Sequence, residues 1–136
     1  IVLALSEMFA EEDEVDLWKR SLFRASLAEK LAGMYAPHVK EKAYLAGLFS
    51  LSGEVLGQKP EDVVKELMLD KDIIEAFERR LNEIGFILSL VELLEDSKNE
   101  KIINRVSKII NVDPQTIVQS IKDAEKESSE LLSSIT

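Results

Sequence analysis

The chain has 136 residues, and its 46% hydrophobic and 32% charged residues are typical of one folded domain rather than of a disordered segment. A formal net charge of −9 argues against binding to nucleic acid or to an anionic membrane surface. The chain contains no cysteine, which excludes disulfides, thiolate catalysis and cysteine-type zinc sites and favours a cytoplasmic location.

Helical periodicity runs through nearly every segment, and only five glycines and three prolines interrupt it. A short helix is predicted over residues 1–9. Its apolar start is interpreted as a trimmed end on which an upstream segment packs, and not as a signal peptide. No apolar run approaches the roughly 20 residues that a membrane-spanning helix needs.

A long helix is predicted over about residues 13–35, because the acidic run at 11–14 suits the positive end of a helix dipole. Trp18 belongs to a stripe of apolar residues at three- and four-residue spacing, which predicts a place in the core. The charged side chains of this helix are expected mostly on the other, solvated side: Asp16, Lys19, Arg20, Arg24 and Lys30.

Residues 40–56 are predicted to form one central, buried helix, because the segment from Ala43 to Leu56 is nearly apolar all round. Gly57 is expected to end it. Asp113 followed by Pro114 predicts the N-cap and first position of a final helix. With further helices over about 60–68, 71–80, 83–96, 99–110 and 114–134, the pattern predicts an all-α fold, a single compact domain over 1–136 with about seven or eight helices.

Two of these helices carry segments that resemble a known family. The first reads LWKRSLFRA at 17–25, and the second reads AYLAGLFSLSGEVL at 43–56. They resemble the HDOD family, a signalling branch related to HD-domain phosphohydrolases, whose members read LW-x-H-S and AFLAGLLHDIGKL at these places. Arg24 and the GLFSL run at 47–51 look closer to the subgroup in which the domain follows an EAL-type cyclic-di-GMP phosphodiesterase module.

The resemblance extends over about residues 3–130 and corresponds to the later part of an HDOD domain. It therefore implies an HD-like helical fold and an upstream module that belongs to the same protein. It also implies partners of two kinds, namely that upstream module or separate proteins, and a homodimer is a further option.

The resemblance further indicates what became of the HD chemistry. In active HD enzymes, histidines and an adjacent His-Asp pair hold a divalent metal that lowers the pKa of a bound water. The first histidine falls on Arg20, and the pair falls on Ser50 and Leu51. A guanidinium is permanently cationic, a leucine has no donor atom and a serine alone is a weak ligand. At these degenerate HD positions we predict no catalytic residue, no metal and no cofactor, and hence no enzyme.

The basic residues of the long helix allow two interpretations. Lys19, Arg20 and Arg24 could contact an anion or a partner, since arginines four residues apart share one helix face. The alternative is a solvated or ion-paired face, in which Asp16 pairs with Arg20. We favour the second interpretation.

The remaining polar residues are interpreted as structural. His38 follows Pro37 and is expected to be a loop residue rather than a metal ligand. Carboxylate pairs such as Glu92 with Glu95 are interpreted as solvated surface charge rather than as an acid–base pair. The basic pair at 79–80 is expected to be solvated or paired with nearby acids.

The sequence leaves three functions open. The preferred one is a non-catalytic regulatory or interaction domain of a bacterial signal-transduction protein, linked to cyclic-di-GMP signalling. The second is a divergent metal-dependent HD-type phosphohydrolase whose ligands lie elsewhere in the chain. The third is an unrelated helical protein–protein adaptor.

Overall fold

The computed structural model describes residues 15–96 and 99–135, so the helix predicted over 1–9 lies outside the described residues. Within those ranges the fold is all-α, as predicted, and it contains no strand. A 3-10 turn at Pro37–Val39 follows the first of eight α-helices in the described ranges. The α-helices are α1 (Val15–Tyr35), α2 (Lys40–Phe49), α3 (Ser52–Leu56), α4 (Pro60–Glu66), α5 (Lys71–Arg79), α6 (Glu83–Asp96), α7 (Glu100–Ile110) and α8 (Pro114–Ile135).

Helix α1 is the centre of the fold, because it packs most extensively on both α2 and α8. Trp18 is only 3% exposed, which confirms its predicted place in the core. Leu27 and Leu31 of the same helix are fully buried. Gly47 lets α2 approach closely, since a Cβ atom at this position would lie 2.6 Å from the backbone oxygen of Arg24.

The prediction of one helix over residues 40–56 is wrong, because the structure divides this segment into α2 and α3. The break falls at Ser50 and Leu51, where two serine hydroxyls bond to nearby carbonyls. Ser50 Oγ donates to Gly47 O at 2.7 Å, and Ser52 Oγ donates to Phe49 O at 2.6 Å. Such local bonds compete with helical ones. Gly57 ends α3 in the left-handed conformation, at φ 67°, as predicted.

The later helices begin and end within two residues of their predicted bounds, and α6 matches them. Asp113 caps α8 as predicted, with Oδ1 accepting a hydrogen bond of 2.8 Å from the backbone N–H of Gln115. Asn99 caps α7 in the same way, through Ile102 N at 2.9 Å. Within residues 15–96 and 99–135, no helix combines the length and apolar character that a membrane span requires.

The buried apolar side chains form two clusters, and α1 contributes to both. The first, which we call the α8-side core, joins α1 to α6, α7 and α8 and includes Leu31, Val91 and Ile117. The second, the α5-side core, joins α1 to α2, α4, α5 and α6 and includes Trp18 and Leu48. Arg20, Arg24, Ser50 and Glu95 lie where α1, the α2–α3 break and α6 meet.

Candidate functional site

Two arginines of α1 meet one carboxylate of α6. Arg24 binds Glu95 through two nitrogens, with Nη2 at 2.7 Å from Oε1 and Nε at 3.1 Å from Oε1 and 3.2 Å from Oε2. Arg20, one turn earlier on the same helix face, places Nη2 at 3.0 Å from Oε1. We call Arg20, Arg24 and Glu95 the arginine–glutamate cluster.

The cluster also reaches the break between α2 and α3. Arg24 Nη1 donates to Ser50 Oγ at 3.2 Å, and that hydroxyl in turn donates to Gly47 O. Arg24 therefore links three parts of the fold: α1, the α2–α3 break and α6. Of the three residues predicted to occupy degenerate HD positions, Arg20 and Ser50 are brought into this network. Leu51 is buried at 3% exposure and offers no polar side-chain atom.

The network is largely withdrawn from solvent. The side chains of Arg24 and Glu95 are 11% and 12% exposed, while that of Arg20 is 44% exposed. Burial raises the pKa of the Glu95 carboxyl, but hydrogen bonds from Arg24 and Arg20 and their positive charges outweigh it and hold the pKa below its ordinary value. Glu95 is therefore ionised at neutral pH and pairs with both guanidiniums.

Two expectations about these residues are wrong. Arg24, expected on the solvated side of its helix, is 9% exposed, and Glu95, expected to be surface charge, is mostly buried. Arg20 pairs with Glu95, which lies 75 residues away in the sequence.

The sequence did contain a signal for Glu95. Ile87 and Val91 are fully buried and lie eight and four residues before it, so Glu95 continues their face of α6. Arg24 similarly precedes Leu27 and Leu31 at three- and seven-residue spacing, on the buried face of α1. A charged residue within each of two apolar stripes indicates a buried ion pair, although it does not identify which charges meet.

An open cleft of about 420 Å³ lies beside the cluster, between α1, α6 and α8. Lys19 and Arg20, two of the three residues predicted to contact an anion or partner, line this cleft, whereas Arg24 lies behind them in the network. The other lining residues are Phe23, Glu95, Glu125, Ser128 and Ser129.

The other candidate residues lie elsewhere. His38 is in the 3-10 turn, where Nε2 lies 2.7 Å from Glu83 Oε1, and both side chains are exposed. Arg80 ends α5 in the left-handed conformation and pairs with Glu92 of α6 at 2.5 Å. In the part of the chain that the structure describes, no three histidine, aspartate or glutamate side chains group closely enough to hold a metal ion.

Comparison with known proteins gives no relative. No family model matches this chain, and no curated protein or solved structure matches it significantly. The HDOD resemblance therefore stays a prediction drawn from two segments.

Proposed function

We propose that this chain is a non-catalytic regulatory or interaction domain of a bacterial signal-transduction protein, linked to cyclic-di-GMP signalling. The proposal is best supported by the residues that stand at the positions where the HDOD resemblance predicts lost metal ligands. Arg20 and Ser50 stand there, and Arg24 connects both to Glu95. The link to signalling rests on the HDOD resemblance, and the cluster supports the loss of catalysis.

The cluster is unfavourable for a divalent metal on electrostatic grounds. Metals bind neutral imidazole, carboxylate or thiolate groups, and a guanidinium can supply none of these. Two guanidiniums would repel a divalent ion, since like charges a few ångströms apart interact by several kcal/mol at about the effective dielectric of a protein surface. Both oxygens of Glu95 already accept hydrogen bonds from arginine.

The same arrangement suits a domain that transmits packing changes. Arg24 joins α1 to the α2–α3 break and to α6, so a partner that displaces one of these parts disturbs the others. Breaking a buried ion pair costs about 3–5 kcal/mol, because the remaining charge is left without compensation. We infer that an upstream module or a separate protein acts on the domain through these helix faces.

The loss of catalysis is tested with the chain of 136 residues and added Mn²⁺ or Ni²⁺. We expect no hydrolysis of p-nitrophenyl phosphate or its bis ester above the metal-only rate, and no stoichiometric metal by elemental analysis. Hydrolysis that requires the folded chain would instead favour the phosphohydrolase alternative.

The signalling link is tested on the full-length protein. We expect the coding sequence before Ile1 to encode an EAL-type module, and we expect Glu95→Gln to change its rate of cyclic-di-GMP hydrolysis. A matched control is Glu130→Gln, since Glu130 is exposed on α8. An unrelated upstream sequence, or equal rates for both variants, would favour the adaptor alternative.

A further inference from the structure

The last turns of α8 pack less deeply than the first ones. Ile117 and Ala124, in the first half of the helix, are fully buried in the α8-side core. Among residues 125–134, which we call the α8 end segment, only Ser128 is buried, and Leu131 is partly buried against the α5-side core. A segment that buries little apolar surface opens at a lower cost in free energy than the rest of its helix.

Polar contacts with α1 fix the position of the α8 end segment. Ser26 Oγ donates to Glu127 Oε2 at 2.5 Å, and Lys30 Nζ donates to both carboxylate oxygens of Glu127, at 2.8 and 2.9 Å. Ser26 is buried, but the Glu127 side chain is 52% exposed. An ion pair so exposed to water usually adds little to stability. These contacts therefore specify where the segment lies more than they hold it there.

The surface beneath the segment is a groove made by Leu22 and Ser26 of α1 and Tyr44 of α2, which we call the α1–α2 groove. A cavity of about 140 Å³ separates these side chains from Glu127 and Leu131. Protein interiors are normally packed without gaps of this size, so the α8 end segment fills the groove incompletely. Leu22 is nevertheless only 2% exposed, so opening of the segment would uncover apolar surface.

We propose that the α1–α2 groove is an interaction surface for an amphipathic helix of a partner protein, and that the α8 end segment covers this surface in the absence of the partner. The segment itself shows what the groove accepts. The carboxylate of Glu127 meets the donors of Ser26 and Lys30, and Leu131 lines the same cavity as Leu22.

The partner helix is therefore expected to carry an acidic residue and, four residues later, a leucine, since residues at this spacing lie on one face of a helix. Binding of such a face to a groove is a common way for helices to be recognised. The inference rests on the proposed function, because it names the kind of partner that an interaction domain would take.

The test uses the chain of 136 residues and a fluorescein-labelled peptide of residues 121–136 as the partner helix. Fluorescence anisotropy measures its affinity. The parent should bind the peptide weakly, because its own end segment competes at a high effective concentration. Glu127→Gln and the double variant Glu127→Gln/Leu131→Ala weaken this internal contact but leave the groove unchanged. We expect the double variant to bind the peptide about tenfold more tightly than the parent, with Glu127→Gln between them.

Two further variants test the specificity of the contact. Lys30→Gln, added to the double variant, removes a donor to the acidic residue of the peptide and should weaken binding about tenfold. Glu130→Gln removes one negative charge from an exposed position of the same segment and should bind the peptide as the parent does.

Hydrogen exchange shows whether the double variant opens only at the end of α8. Amides of residues 125–134 should exchange faster than in the parent, while those of residues 117–124 keep their parental rates. Faster exchange along the whole helix would mean that the end segment does not open separately, and it would contradict the proposal.

The proposal is also wrong if no variant binds the peptide at millimolar concentration, if the parent and the double variant bind it equally tightly, or if Lys30→Gln has no effect. Dimerisation of the double variant in light scattering, without bound peptide, would assign the groove to a second copy of the chain instead. Metal-dependent hydrolysis of phosphate esters would contradict the proposed function, but it would leave each of these binding results unchanged.

Discussion

Glu95 is the residue on which the candidate site depends, because it neutralises Arg24, whose side chain is only 11% exposed. Glu95→Gln keeps the shape of the side chain but removes the charge. We expect the free energy of unfolding to fall by about 3 kcal/mol, the lower end of the cost of leaving one partner of a buried pair uncompensated. Urea denaturation followed by circular dichroism measures this change.

Glu130→Gln serves as the control for that measurement. Glu130 is exposed on α8, and substitutions of exposed charges usually change stability by less than about 0.5 kcal/mol. Equal stabilities for the two variants would mean that the pairing of Arg24 with Glu95 contributes nothing net to the fold.

The same carboxylate predicts how stability depends on pH. Hydrogen bonds from arginine lower the pKa of Glu95 from its ordinary value of 4.5, so protons bind the unfolded chain more tightly than the folded one. The stabilising contribution is therefore complete above about pH 4.5 and is lost as the pH falls below that value. Urea midpoints measured from pH 7 to pH 3 should drop in this acidic range.

Comparison with a variant assigns the drop to Glu95. Glu127 also has a lowered pKa, chiefly through a hydrogen bond from Lys30, so the parent chain loses both contributions in acid. The Glu95→Gln variant lacks the contribution of Glu95. Its stability should therefore fall less steeply between pH 4.5 and pH 3 than that of the parent. Parallel curves for the two proteins would contradict the assignment.

Among the elements, the long helices could be predicted and the central break could not. The bounds of α6 follow from its apolar periodicity, which survives in the fold because one face is buried. The break at Ser50 depends on hydroxyl bonds and on Arg24, which comes from another helix. Periodicity reports which face is buried, but it carries no information on which residue of a distant helix will lie there.

Replacing two glycines with alanine is expected to change the stability of the chain in opposite directions, because α1 and α2 approach closely at Gly47 but not at Gly33. Gly47→Ala would place a Cβ atom 2.6 Å from Arg24 O, so the helices must separate, and overpacking of this kind costs about 1–3 kcal/mol. At Gly33 of α1 the nearest atom would be Lys40 Cε at 3.8 Å, which is ordinary contact. Gly33→Ala should therefore stabilise the chain by up to about 1 kcal/mol, through helix propensity alone.

Thermal melts of the two alanine variants decide this point. A lowered midpoint for Gly47→Ala with an unchanged or raised midpoint for Gly33→Ala is the expected pair of results. A loss of stability at both positions would indicate that glycine is needed for some reason other than the distance between α1 and α2.

For the whole molecule, the shared helix α1 predicts that the α8-side and α5-side cores unfold together. Trp18, the single tryptophan of the chain, lies in the α5-side core, so its fluorescence reports on that core alone. Ile117 of α8 is fully buried in the α8-side core, and Ile117→Ala should cost about 2–5 kcal/mol.

If α1 couples the two cores, Ile117→Ala lowers the urea midpoint measured by Trp18 fluorescence as much as the midpoint measured by helicity. Coincident midpoints from the two probes mark two-state unfolding. Leu81→Ala is the control, since Leu81 is 83% exposed and should shift neither transition. A fluorescence midpoint that stays in place while helicity is lost earlier would mean that α8 detaches on its own. The cleft between α1, α6 and α8 would then open without unfolding the rest of the chain.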